Sequence, residues 1–234
     1  MNQSDIGYMP HAIGVGAQSF VAKVYNWMAM GLAVTAACAW YMISHPIMVA
    51  NLAHNHLLFY GLLVGELLLV IGLSAAISRI SAGTATVGFF FYAALNGVTI
   101  SLLLLAYTQA SVTSAFVAAA GMFGAMALYG HATKKDLTSV GGFAAMALVG
   151  VIIASVVNMF MRSSGMDRVL TYLSVLVFVA LTAWDAQKIR RMAEGGFGDA
   201  ELESKATVMG ALALYLDFIN LFLSLLRIMG KRRE

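Results

Sequence analysis

Apolar residues run through this chain in long blocks, and polar positions fall between the blocks rather than alternating inside them. A helix needs about 20 apolar residues to cross the hydrocarbon of a bilayer, with a range of about 17–25. Blocks of that length predict spans over about 21–44, 57–78, 85–107, 110–130, 138–161 and 168–187, and a seventh over about 207–229. No stretch shows the period of two that marks a half-buried strand. The connectors are short. The longest, KIRRMAEGGFGDAELESKA at 188–206, gathers charge and glycine. With no soluble domain between the spans, the expected fold is an all-α integral membrane bundle of seven helices over 20–230. A polar tail, 1–19, precedes it and a basic end, 231–234, follows.

Composition agrees with this pattern and narrows the function. The chain is 61% hydrophobic and 11% charged, whereas a soluble domain averages about 25% charged. A net charge of +3 and basic residues confined to connectors and the C-terminal end give no reason to expect nucleic acid as a partner. The single cysteine, Cys38, excludes an intramolecular disulfide and a thiolate metal cluster. Met1–Gln18 has no Lys or Arg before an apolar core, so it reads as a retained tail and not a cleaved signal. Lys and Arg favour the cytoplasmic face. With the N-terminus inside, Lys23, Arg79, Lys134, Lys135, Lys188, Arg190, Arg191 and Lys205 are cytoplasmic, and Arg162 and Arg168 are external. Arg227, Lys231, Arg232 and Arg233 join the external set if the last span crosses fully, and the cytoplasmic set if it turns back. Its unbroken length argues for crossing and charge for turning back, so the side of the C-terminus stays open.

That last span, LYLDFINLFLSLLRIMG, holds a carboxylate where one costs about 2.5–3.5 kcal/mol on insertion scales. Gly210, Ala213, Asp217, Asn220, Ser224 and Arg227 fall on one helical face, small or polar throughout, and such a stripe faces protein or water. The sixth span carries a counterpart: Thr171, Ser174, Phe178, Thr182 and Asp185. Lys188, Arg190 and Arg191 fix its end at the cytoplasmic surface. At about 1.5 Å per residue, Asp185 lies about one turn inside that surface and Asp217 about two, on consecutive helices. Two carboxylates in one low-dielectric site share a proton or bind a cation, and Ca²⁺ suits oxygen-only ligands. The alternative is structural: each Asp is a hydrogen-bonding group, or Asp185 belongs to the surface salt bridges.

Glu66, mid-way along the second span, lacks a polar stripe. Its partner comes from elsewhere, from Arg79 at the helix end or from a hydroxyl, unless it is protonated and structural. Asn96 and Asn158 read as interhelical hydrogen-bond donors. His45, His54 and His56 share an external connector, where solvation competes with metal binding. Gly61, Gly65, Gly121 and Gly124 suggest close helix contacts. No phosphate loop, nucleophile elbow or His-Glu metal motif is present, so neither an enzyme nor a resident cofactor is expected.

Three stretches, FVALTAWDAQKIRRM, ALALYLDFINLFLSLLRIMG and GMFGAMALYGHATKKDLTSVGGF, resemble the transmembrane BAX inhibitor-1 motif family, with a likeness covering about 20–230. The resemblance implies a seven-helix bundle with the last helix central, in a bacterial inner membrane. Bacterial members include a pH-sensitive calcium leak channel, whose aspartate pair corresponds to Asp185 and Asp217 and whose helix-two glutamate corresponds to Glu66. An arginine that helps hold its closed state corresponds only approximately to Arg79, because the spacing from Glu66 differs. A sister member modulates a membrane-bound AAA protease. The expectation is therefore a pH-sensitive cation leak gated by Asp185 and Asp217, with Glu66, Arg79 and Asn220 in support. The rival is a protein that binds and modulates such a protease through its N-terminal tail.

Overall fold

A computed structural model describes residues 10–233, with side chains from residue 16 onward. The described residues form eight helices: α1 (Pro10–Ser44), α2 (Pro46–His54), α3 (His56–Ala76), α4 (Ala82–Leu105), α5 (Gln109–Ala132), α6 (Thr138–Met161), α7 (Ser164–Gly195) and α8 (Ala200–Met229). All but α2 are long and apolar enough to cross a membrane. Five starts are set by a side chain that accepts from an amide of the first turn. Asn55 accepts from Leu58 N, Ser81 from Thr84 N, Thr108 from Ser111 N, Ser163 from Met166 N and Asp199 from Leu202 N.

These caps move several expected boundaries. The charged stretch 188–206 is mostly helical, with α7 running to Gly195 and α8 starting at Ala200. Charge excludes these turns from lipid, not from helix. Gly196, at φ 69°, provides the stop that a side chain would resist. Of the tail expected over 1–19, residues 1–9 lie outside the described residues, and α1 begins at Pro10. The short helix α2 has nine residues, too few to cross a bilayer.

The polar stripe on α8 explains why it occupies the centre. In its most apolar window 72% of residues are buried, against 11% in α3 and in α6. It packs on α1, α4, α5 and α7, whereas α3 lies against α4 and α6 against α7. Close approach depends on glycines other than those the sequence suggested. Nothing lies within 4 Å of a Cβ built on Gly61, Gly65, Gly121 or Gly124, whereas one on Gly97 would meet the Thr35 carbonyl and Cys38 of α1. On Gly130 it would meet the backbone of α7 at Ala183.

The C-terminal end doubles back on the α4–α5 connector. Tyr107 bridges Arg232 in antiparallel fashion, Thr108 N donates to Lys231 O (3.0 Å) and Arg233 N donates to Ala106 O (2.9 Å). The α4–α5 connector lies on the face opposite the α3–α4, α5–α6 and α7–α8 connectors. The last helix therefore crosses completely, and the C-terminus sits opposite Lys134, Lys188 and Arg191.

Two outcomes test this architecture. With the charge-rule orientation, a reporter fused after Glu234 is active in the periplasm and silent in the cytoplasm. Activity on the cytoplasmic side would mean that α8 does not cross. Gly97→Val overpacks the α1–α4 contact, for which about 1–3 kcal/mol is typical. It should lower the melting temperature in detergent, while Gly121→Val, on an open face, leaves it nearly unchanged.

Candidate functional site

Glu66, Asp185 and Asp217 come from three helices, and all three line one cavity of about 430 Å³. Tyr92, Phe178 and Asn220 line it too, and the remainder is apolar. The helical spacing of the α8 stripe places Ala213, Asp217 and Asn220 on this wall, and Phe178 and Asp185 come from the matching stripe of α7. Asp185 and Asp217 face each other. Asp217 is 4% exposed, and its Oδ2 is buried without a hydrogen-bond partner. A carboxylate only accepts, so a bond between the two requires a proton on one of them.

The other polar members of the two stripes are satisfied locally. Thr171 donates to Asp167 O, Ser174 to Leu170 O, Thr182 to Phe178 O and Ser224 to Asn220 O, each one turn back on its own helix. Asn220 Nδ2 donates to Leu216 O (2.8 Å), and the residue lines the cavity. Ser224 and Arg227 do not line the cavity, and Arg227 is exposed.

Glu66 finds its partners on α4. Thr99 Oγ1 donates to Oε1 (2.7 Å) and Asn96 Nδ2 to Oε2 (3.2 Å). Arg79 is not among them. It sits exposed in the turn after α3, whose end at Ala76 is already about 15 Å from Glu66 along the helix. Behind Asn96 the chain of bonds continues. Tyr215 OH of α8 donates to Asn96 Oδ1 (3.1 Å) and meets Thr35 Oγ1 of α1 at 2.6 Å. Thr35, Thr99 and Tyr215 carry no signal in the sequence, since a lone hydroxyl in an apolar span more often bonds its own helix. Asn158 bonds locally as well: its Oδ1 accepts from Ser163 N (3.1 Å), closing the α6–α7 turn. His45 and His54 each turn Nδ1 to a carbonyl one turn back, and among the described residues no three His, Cys, Asp or Glu side chains group as metal ligands.

Comparison with known proteins agrees with the resemblance. A family model described as "Inhibitor of apoptosis-promoting Bax1" matches residues 17–234. The inner membrane protein YbhL of Escherichia coli K12 is 47% identical over 99% of this chain and 98% of its own length. An uncharacterised protein of Borreliella burgdorferi is 42% identical over 92% of this chain and 93% of its own. Another, of Deinococcus radiodurans, is 41% identical over 92% and 91%.

Below the cavity, the end of α7 grips the α5–α6 connector. Gln187 Nε2 donates to Lys135 O (2.7 Å), and its Oε1 accepts from Leu137 N (2.9 Å). Arg190 donates to His131 O and Thr133 O. Asp136 Oδ1 accepts from the Thr138 hydroxyl and amide and pairs with Arg191 Nη2 (2.8 Å). The bonds to Thr138, and then the Arg191 guanidinium, lower the Asp136 carboxyl from 3.8 to about 2. Because the folded value is the depressed one, the stabilisation from Asp136 is complete above about pH 4 and is lost as pH falls through about 2. Carboxyl-detected NMR should find an Asp136 midpoint near 2. Thr138→Ala, which removes the hydroxyl bond and keeps the amide, and Arg191→Ala should each raise that midpoint, and an unshifted midpoint in both variants would dissolve the grip.

Proposed function

The chain belongs to the BAX inhibitor-1 family, and from that membership we propose that it is a pH-sensitive cation leak, with Ca²⁺ as the cation, in a bacterial inner membrane. It is a conduit on this reading and not an enzyme. The observation that carries it is the convergence of Glu66, Asp185 and Asp217 on one cavity beside the central helix. A buried acid away from water is costly unless a proton, a cation or a donor meets it. Thr99 and Asn96 supply donors to Glu66, but Asp217 Oδ2 has none, and its neighbour across the cavity is another acid. A proton or a cation relieves that arrangement, and the two compete for the same oxygens.

Calcium is bound by oxygen ligands, and Asp185 and Asp217 offer carboxylates on this wall. The acids line the cavity without closing into a cage of three. A conduit needs such a layout, because an ion must bind well enough to enter and weakly enough to leave. The cytoplasmic end of the route lies near Lys188, whose charge acts on Asp185.

Purified full-length protein in liposomes, loaded with a calcium dye and stepped in pH, tests the proposal. A gate that takes up one proton changes its equilibrium by up to about tenfold per pH unit. The wild type should show such a dependence, and Asp185→Asn and Asp217→Asn should flatten it while the fold survives. Asp217→Asn should have the larger effect, because Asp217 is buried and Asp185 only partly so. Asp199→Asn is the control, since asparagine caps α8 as well as aspartate does. Calcium-tight wild-type liposomes would sink the leak. Wild-type pH profiles in both aspartate variants would make the pair structural.

A further inference from the structure

The bonds around Glu66 have more acceptors than protons, and this excess has a direction. Thr35 and Tyr215 each have one hydroxyl proton. Between them they face Ala93 O (2.8 Å), Gly31 O (3.1 Å), Asn96 Oδ1 (3.1 Å) and each other (2.6 Å). Thr99 likewise has one proton and two kinds of acceptor: Glu66 Oε1 at 2.7 Å, and the backbone carbonyls of Asn96 (3.0 Å) and Leu95 (3.3 Å). Not all of these bonds exist at once.

Two of the possible sets run unbroken from end to end. With Glu66 ionised, every donor points towards it. Thr35 donates to Tyr215, Tyr215 to Asn96 Oδ1, Asn96 Nδ2 to Glu66 Oε2, and Thr99 to Glu66 Oε1. With a proton on Glu66 Oε2, every donor points away. The Glu66 hydroxyl donates to Asn96, whose amide turns over about its broad two-fold terminal torsion. Asn96 then donates to Tyr215, Tyr215 to Thr35, and Thr35 to Ala93 O, while Thr99 is free to turn to its own backbone. Each hydroxyl keeps its own proton and only redirects it. The one proton that enters or leaves does so at Glu66, from the cavity.

We propose that Glu66 is a proton-exchange site and that Asn96, Tyr215 and Thr35 are positioning residues whose hydrogen-bond chain reverses direction when Glu66 gains a proton. The chain joins α3, α4, α8 and α1, so the state of one carboxyl on α3 is registered at the α1–α4 contact near Gly97. The groups that face Glu66 or its chain are Tyr92 on α4, Tyr215 and Asp217 on α8, Asp185 on α7 and, beside Tyr215, Cys38 on α1. The inference rests on the proposed leak only in taking the cavity as the proton's route.

Infrared difference spectroscopy of the full chain in liposomes, between acid and alkaline pH, tests the reversal without measuring flux. The expected spectrum contains a protonated-carboxyl band that is lost in Glu66→Gln. It also contains a change in a tyrosine C–O mode, lost both in Glu66→Gln and in Tyr215→Phe. The Phe variant keeps the ring that packs edge-on against Phe89 and Tyr92. Ring-deuterated tyrosine identifies the tyrosine mode in the unaltered chain, so the test survives a variant that fails to fold. A tyrosine mode indifferent to pH, or one persisting unchanged in Glu66→Gln, overturns the proposal. Spectral changes as expected in calcium-tight liposomes would support it while sinking the leak. A pH-gated flux without the Glu66 band would do the reverse.

Discussion

Inside the bilayer no water is available to a polar side chain, and the arrangement of this bundle follows from that constraint. The last helix carries Asp217, Asn220 and Ser224 on one face and Tyr215 on the opposite one into the apolar region, so lipid can cover neither side. Four helices enclose it, and α3 and α6 are left outside, presenting to lipid the apolar surfaces that α8 lacks. Glu66 repeats the logic on a smaller scale. It lies on an outer helix, yet it turns inward and is met by two donors from α4.

Magnitudes separate the polar groups into two kinds. An interhelical hydrogen bond in a membrane protein is worth about 0.6 kcal/mol on average and about 1.7 kcal/mol at most. The bonds of Glu66, Asn96, Tyr215 and Thr35 therefore add little to stability. An acid left without a partner in an apolar site costs several times as much. The network is better understood as fixing where a carboxyl can sit in either protonation state than as holding the helices together. Thr171, Ser174 and Thr182 belong to the other kind, since each spends its proton on its own helix and so becomes apolar to its surroundings.

The spans could be read from the sequence because hydropathy over twenty residues depends on lipid alone, not on which helix packs where. The shared face of Asp217 and Asn220, and of Phe178 and Asp185, followed from helical spacing for the same reason. Helix ends were less legible. Charge at 188–206 marks the exit from lipid, whereas Asp199 and Gly196 decide where helix stops and starts. The partners of Glu66 were hidden because they depend on α3 lying against α4, which no local pattern encodes, and Arg79 was offered by its nearness along the chain and by an approximate family correspondence. Glycine pairs such as Gly121 and Gly124 advertise a smooth surface without saying whether protein or lipid meets it.

The ends of α8 restrict how the bundle can move. At its start, Glu201 accepts from Ala82 N at 2.7 Å and Glu203 pairs with Lys23 at 2.6 Å. At its far end, Lys231 N donates to Ser111 Oγ and the strand bridge fastens Arg232 to Tyr107. A piston stroke along the helix axis would break both fastenings at once. A swing of α3 or α6 leaves both intact. The central helix is thus an axle fixed in two bearings, and any door into the acidic cavity is hung on the outer helices.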